Sequence, residues 1–374
     1  MIPRVIMSRL TLRHVRVLLC VPAYTPAREY GGPITKIGLL APALRDLGVE
    51  IEILTANFGA HGAAVEPGRA EVDGIAVVYL RRLVSRGFVS VAPGARRVVR
   101  SGFDVVHCFG LRDGVVTSAA MAAHRARIPV VLEPMGMAVP RIRSTALKAA
   151  FDRVFRPVLR KSAVTIATSS VERGELEGLA YPNVVLRPNP VVASSFDNPR
   201  SAPIYDLCYV GRLHEKKRLG DIVAALAAHP EWTAIVAGPD EDKTGQRLLA
   251  SARAAGVDNR LEVRGWVEDV EKSAIIRSSR VFVLPSATEN FGNAAAEAIA
   301  LGTPAVVTDA CGVADVVGAT GAGAVAAVDT QAVIKAIELV LRTDRKDVAV
   351  NVMQTYSPRT IAAQQRAIYE SVLR

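Results

Sequence analysis

Polar and apolar positions along the chain fall into short aliphatic runs separated by longer amphipathic stretches. In the first half, "VRVLLCVPAY", "VEIEILTA", "IAVVYL", "DVVHC", "PVVLE", "VTIATS" and "NVVLRPN" are nearly unbroken apolar runs, the mark of parallel strands covered on both faces. Between them, segments such as 33–47 and 144–161 read as helices. A second set follows: "IYDLCYVG", "WTAIVAG", "LEVRGW", "VFVLPS", "PAVVTD" and "GAVAAV". The two sets are separated by "FDNPRSAP" at 196–203, whose Asp, Asn, Pro and Ser suit a linker. This alternation predicts an α/β protein with two Rossmann-like, doubly wound domains, residues 1–195 and 196–356. Ligands are expected in the cleft where the carboxyl ends of the two sheets face each other. The closing segment "SPRTIAAQQRAIYESVL" begins with Ser357 and Pro358 and predicts a capped helix over 357–374 that packs back on the first domain.

Composition removes several classes. The chain has 374 residues, of which 50% are hydrophobic, enough for a large core, and it carries no low-complexity tract or fixed-period repeat. No apolar run approaches the ~18 residues of a membrane span. The basic start "MIPRVIMSRLTLRHVR" followed by "VLLCVPA" imitates a secretion signal, but its apolar run is short and continues into the first strand pattern. Cys20, Cys108, Cys208 and Cys311 are widely spaced without any CxxC pattern, as reduced core thiols would be, so a cytoplasmic location is expected.

Charge is distributed unevenly. Residues 1–195 hold 26 Lys and Arg against 14 Asp and Glu, whereas residues 196–374 hold 20 against 22. Much of the excess lies in 141–162, where Arg141, Arg143, Lys148, Arg153, Arg156, Arg160 and Lys161 face only Asp152 and share the segment with Phe151, Val154, Phe155, Val158 and Leu159. Such a helix either docks on its sheet with a solvated basic face or touches an anionic membrane surface, here the inner face of the cell membrane. Nucleic acid is not an expected partner, because no nucleic-acid motif accompanies the charge.

The stretch "ENFGNAAAEAIALGTP" places Glu297 in the middle of a helix that is otherwise apolar, with Asn293 one turn earlier on the same face. A carboxylate on a packed helix needs hydrogen-bond donors, which either vicinal sugar hydroxyls or a neighbouring Arg or backbone amide would supply. Eight residues before it, Glu289 stands in a turn, and the amides of Phe291, Gly292 and Asn293 at the helix start favour an anion or a polar ligand.

These residues resemble glycosyltransferase family 4, retaining enzymes of the GT-B fold. Glu289 and Glu297 match the family's E-x7-E motif, "YVGRLHEKKRL" resembles the start of its second domain, and "EYGGPITKIGLLAPALRDLGVEIEILTA" its amino-terminal loop and first helix. The resemblance spans nearly the whole chain. It implies retaining, metal-independent transfer of a sugar from a nucleotide diphosphate sugar, with no cofactor, to a glycolipid or saccharide acceptor. It places Arg212 and Lys217, with Lys216 as the alternate, on the donor diphosphate, and Gly31 and Gly32 in a loop whose amides approach the same phosphates. Glu297 falls on the ribose position, Glu289 on a contact to the donor sugar with the backbone of Phe291 and Gly292 beside it, and Val267 in "RGWV" on a backbone contact to the base.

One departure stands out. Where the family commonly has a histidine, in a "PHGM"-like turn, this chain has "EPMGM", with Met135 at that place. His107 in "DVVHC" stands near a neighbouring strand end, as a catalytic residue facing the cleft or as a structural one. Glu133 is a candidate acceptor-site carboxylate or a strand-end charge. With no evident enzymic base, the departing diphosphate itself is expected to take the acceptor proton. Three further readings compete: a metal site at "DED", 240–242, in a turn where acidic residues are commonplace; a nucleotide-sugar epimerase of the same architecture; and a non-enzymatic binding protein of this fold, against which Arg212, Lys217, Glu289 and Glu297 are all present.

Overall fold

The structure, a computed structural model, describes residues 14–27, 32–60, 63–86, 89–140, 145–192, 202–240, 242–343 and 348–374. Gly31, Arg141, Arg143, Glu241, the amino-terminal basic segment and the linker residues 196–201 lie outside the described residues.

The first half builds an eight-stranded sheet from β1 (Val15–Cys20), β2 (Val49–Ala56), β3 (Gly68–Val72), β4 (Ile75–Leu80), β7 (Val105–Phe109), β8 (Val130–Glu133), β9 (Val164–Ala167) and β10 (Val184–Leu186). A separate hairpin, β5 (Val84–Arg86) and β6 (Val89–Val91), stands outside it. The sheet order is β10-β9-β8-β7-β1-β2-β4-β3, and every pairing is parallel except β3 with β4. All residues of β7, β8 and β9 are buried, because helices cover both faces and leave no wet side for polar residues. The exposed edge strand β3, "GRAEV", has no aliphatic run and so gave no sign of itself in the pattern.

The second half forms a six-stranded parallel sheet from β11 (Tyr205–Val210), β12 (Ala234–Ala237), β13 (Leu261–Arg264), β14 (Ser279–Leu284), β15 (Ala305–Thr308) and β16 (Gly323–Ala326). Its order, β13-β12-β11-β14-β15-β16, is the doubly wound one, and it reverses between β11 and β14. In the first sheet the order reverses between β1 and β7. Crevices at such switch points are where open α/β sheets take their ligands.

The helix Pro358–Val372 is capped by Ser357, whose Oγ accepts from the Thr360 amide at 3.2 Å. It packs on the first domain's helix Gly32–Asp46, where Arg366 donates to the Leu47 carbonyl at 2.6 Å. The basic segment forms the helix Thr145–Leu159. All four cysteines are free and buried. Among the described residues, no helix is long and apolar enough to cross a membrane.

Candidate active site

One wall of the cleft comes from the loops after β11 and β14. The amide of Ala287 donates to the Lys216 carbonyl at 2.8 Å, tying the two loops together across the switch point. Glu289 is fixed at both backbone ends: its amide donates to the Ala310 carbonyl at 3.0 Å, and its carbonyl accepts from Gly312 at 3.1 Å. Its carboxylate pairs with Lys217. Gly292 ends the loop at φ 101°, and a Cβ there would come within 2.9 Å of Leu284 Cδ2, so both the backbone and the space demand glycine. The helix Asn293–Ala300 follows, buries Ala295, Ala296, Ala298 and Ile299, and turns Asn293 and Glu297 to the cleft. Lys272 Nζ lies 3.1 Å from the Glu297 carboxylate and 3.0 Å from that of Asp269. Burial lowers the pKa of Lys216, while Arg212 is exposed, with its carbonyl accepting from the Tyr209 hydroxyl at 2.9 Å.

The facing wall belongs to the first sheet. Gly32 opens its helix so close to the second domain that a Cβ would meet Asn293 Nδ2 at 2.9 Å. Asn189 Nδ2 donates to Asn293 Oδ1, and Asn290 Nδ2 to Thr168 Oγ1, each at 3.3 Å. Met135 sits at φ 57°, followed by Gly136, whose amide donates to Glu172. The other oxygen of Glu172 accepts from the Thr168 amide at 2.8 Å and hydroxyl at 2.7 Å, so one buried carboxylate holds two cleft loops. Between the walls lie two adjoining chambers. The larger, about 450 Å³, is lined by Lys272, Asn293 and Glu297; the smaller, about 230 Å³, by Gly32, Met135, Glu289, Phe291 and Gly292. Lys36, Asn189 and Asn293 line both.

Residues 31–191 match the family described as glycosyl transferase 4-like domain, and residues 195–352 match glycosyl transferases group 1. The chain belongs to the family 4 glycosyltransferases. A GDP-mannose:cellobiosyl-diphosphopolyprenol alpha-mannosyltransferase from Komagataeibacter xylinus is 28% identical to it over 87% of this chain and 86% of the relative. A phosphatidyl-myo-inositol mannosyltransferase from Mycobacterium leprae is 27% identical over 91% and 93%. In architecture, HepE from Anabaena in complex with UDP and glucose superposes with a TM-score of 0.69 at 17% identity, over 96% of this chain and 100% of that one. A sucrose-phosphate synthase from Thermosynechococcus elongatus gives 0.70 at 18% identity, over 96% and 99%. This glycosyltransferase therefore has the GT-B fold and draws on a nucleotide-sugar donor.

Two candidates in the glycosyltransferase stand elsewhere than the pattern suggested. His107 does not face the cleft. It is fully buried, stacked on Phe109 with ring centroids 4.0 Å apart, and its Nδ1 is 2.8 Å from the Tyr369 hydroxyl of the terminal helix. Burial, reinforced by the charges of Arg187 and Lys36, holds its pKa well below the ordinary 6.5, so the ring is neutral. Glu133 is fully buried as well, with one oxygen paired to Lys36 and the other to Arg187, which makes it a counter-ion for buried cations rather than an acceptor contact. β7 and β8 are inner strands of the sheet, and their ends are covered: Tyr369 of the terminal helix lies against His107, and Lys36 and Arg187 enclose Glu133.

The remaining placements are simpler. The Val267 side chain packs on the core, which leaves its backbone for the expected contact, and Asp269 and Val270 line the larger chamber. In the acidic turn, Asp240 accepts from the Gly245 amide at 3.0 Å at the start of the helix Thr244–Ala254. Lys36, Asn189 and Lys272 were missed by sequence reasoning. Lys36 had one legible signal: it lies one turn after Gly32, on the helix that opens at the cleft.

Proposed function

We propose that this enzyme transfers a mannosyl residue from GDP-mannose to a lipid-linked saccharide, with retention of configuration and without a metal ion. The observation that carries the reading is the second-domain wall: Glu289 and Glu297, eight residues apart, both reach the cleft, each beside a lysine. A carboxylate held this way accepts hydrogen bonds from sugar hydroxyls, Glu297 from the ribose and Glu289 from the transferred sugar. Arg212, Lys216 and Lys217 meet the charge that develops on the departing diphosphate, which also takes the acceptor proton. The choice of donor and acceptor leans on the Komagataeibacter relative, whose name specifies GDP-mannose and a diphosphopolyprenol acceptor.

In this reading the second domain holds the donor and the basic first domain receives the acceptor at an anionic membrane. The helix Thr145–Leu159 exposes Arg153 and Val154, and Arg153, Arg156 and Arg160 line a groove of about 510 Å³ beside it. Each basic residue near an anionic surface contributes about 1 kcal/mol, so the exposed Arg153 and Arg160, with the half-buried Arg156 already paired to Asp152 at 2.6 Å, would give weak, reversible, salt-sensitive docking.

The test is incubation of the purified protein with labelled GDP-mannose and other nucleotide sugars, with and without a polyprenol-diphosphate saccharide, in EDTA. Transfer to the lipid with an α-configured product supports the reading. Isomerisation of the donor without an acceptor makes the protein an epimerase, and activity that returns only with Mn²⁺ overturns metal independence. Sedimentation with anionic and neutral liposomes, using the wild type and a variant with Arg153, Arg156 and Arg160 changed to Gln, tests the docking. Equal binding to both lipids, or none to either, leaves a soluble acceptor as the better reading.

A further inference from the structure

Lys36 and Asn189 are 3% and 7% exposed, yet both line the two chambers of the cleft. Asn189 Oδ1 accepts no hydrogen bond among the described residues, its Nδ2 being spent on Asn293. Native proteins rarely leave a buried polar atom in this condition, and when such an atom borders a cavity, a ligand is the natural partner. Lys36 Nζ is paired with Glu133 and stands where the two chambers meet, a cation beside the cavity that needs no new charge to hold an anion.

From these positions we infer that Lys36 and Asn189 form the first-domain half of a clamp on the donor's glycosyl diphosphate, Lys36 Nζ meeting a phosphate oxygen and Asn189 Oδ1 accepting from a hydroxyl of the transferred sugar. The inference rests on the donor reading above. With the ribose at Glu297 in the larger chamber and the transferred sugar at Glu289 in the smaller, the diphosphate spans the junction between them, where Lys36 stands. Asn189 borders the smaller chamber together with Glu289.

The ion pair does not forbid the movement. Glu133 offers one oxygen to Lys36 and the other to Arg187, so its charge stays compensated when the lysine turns to a phosphate. The diphosphate is then held by cations from both domains, Lys36 on one side and Arg212 with Lys217 on the other. A donor lacking either phosphate would fail to bridge the walls.

The experiment titrates the wild type with GDP and UDP by calorimetry, then carries the tighter ligand, its nucleoside and its sugar nucleotide into Lys36→Met and Asn189→Ala. Lys36→Met is expected to weaken the diphosphate on the order of tenfold to a hundredfold, as loss of a charged hydrogen bond does, while the nucleoside binds as before. Asn189→Ala, which removes no charge and so tests the clamp independently of the buried ion pairs, is expected to raise the donor KM and leave the diphosphate affinity unchanged. Thermal unfolding confirms that each variant is folded. Equal loss for diphosphate and nucleoside, or an effect confined to the acceptor KM, overturns the clamp and leaves the donor reading standing. A wild type that binds neither diphosphate overturns both.

Discussion

The two walls of the cleft handle charge in opposite ways. On the second-domain wall, the pairs Lys217 with Glu289 and Lys272 with Glu297 keep 13% to 24% of their side-chain surface open, and Lys272 also reaches Asp269. On the first-domain wall, Lys36, Glu133 and Arg187 are 0% to 2% exposed in their side chains and share a cluster with His107 and Tyr369. Pairs that keep some solvent contact are easier to exchange for a ligand than fully buried ions, which must stay compensated at all times. The second wall is therefore suited to hold substrate directly. The first is a buried scaffold from which, among the described residues, Lys36 is the one charged side chain that lines the chambers.

The largest test of this contrast concerns stability. Glu133→Gln leaves two buried cations short of their shared counter-ion and should cost about 3–5 kcal/mol, read from denaturant unfolding. Glu289→Gln should cost less by the same measurement, because it strands one cation, Lys217, that keeps contact with solvent. Equal losses would break the comparison.

Turnover comes next. Arg212→Ala or Lys217→Ala should lower kcat by roughly two to three orders of magnitude with the fold intact, the scale of removing one preorganised charge-stabilising donor. A change only in KM would reassign these cations to ground-state binding.

A smaller effect separates the two glutamates. Glu297→Ala should weaken nucleoside diphosphate binding by about 1.5–3 kcal/mol in titration calorimetry, while Glu289→Ala acts mainly on turnover. Unchanged affinity in Glu297→Ala would remove the ribose assignment.

The smallest effect sharpens the picture of the buried wall. His107 has a lowered pKa in the folded protein, so the unfolded chain binds the proton more readily. The stability tied to its neutral form is present above the unfolded value near 6.5 and is lost as pH falls from there toward the folded value. The slope can reach about 1.4 kcal/mol per pH unit. Melting temperatures between pH 7 and 5 should fall more steeply for the wild type than for His107→Phe; parallel curves would mean that the ring carries its proton in the folded state.

What the sequence determined by itself is local and periodic. Strands buried on both faces must be aliphatic throughout, so the order of the two βα sets could be read without a structure, except at the polar edge strand β3 and the short hairpin β5–β6. Glu289, Phe291, Gly292, Asn293 and Glu297 lie within nine residues of one another, and the polar stripe on an apolar helix was enough to single them out. Lys36, His107, Glu133, Arg187 and Tyr369 are spread over more than 330 residues, and no spacing rule links them. Their roles depend on whether each strand end opens to solvent or lies under another element. Only the tertiary structure decided that, when the terminal helix returned to the first domain and placed Tyr369 against His107, which settled for His107 and Glu133 the choice the sequence had left open between a cleft and a buried role. Burial depends on everything packed around a residue, and its electrostatic consequences follow the same neighbours.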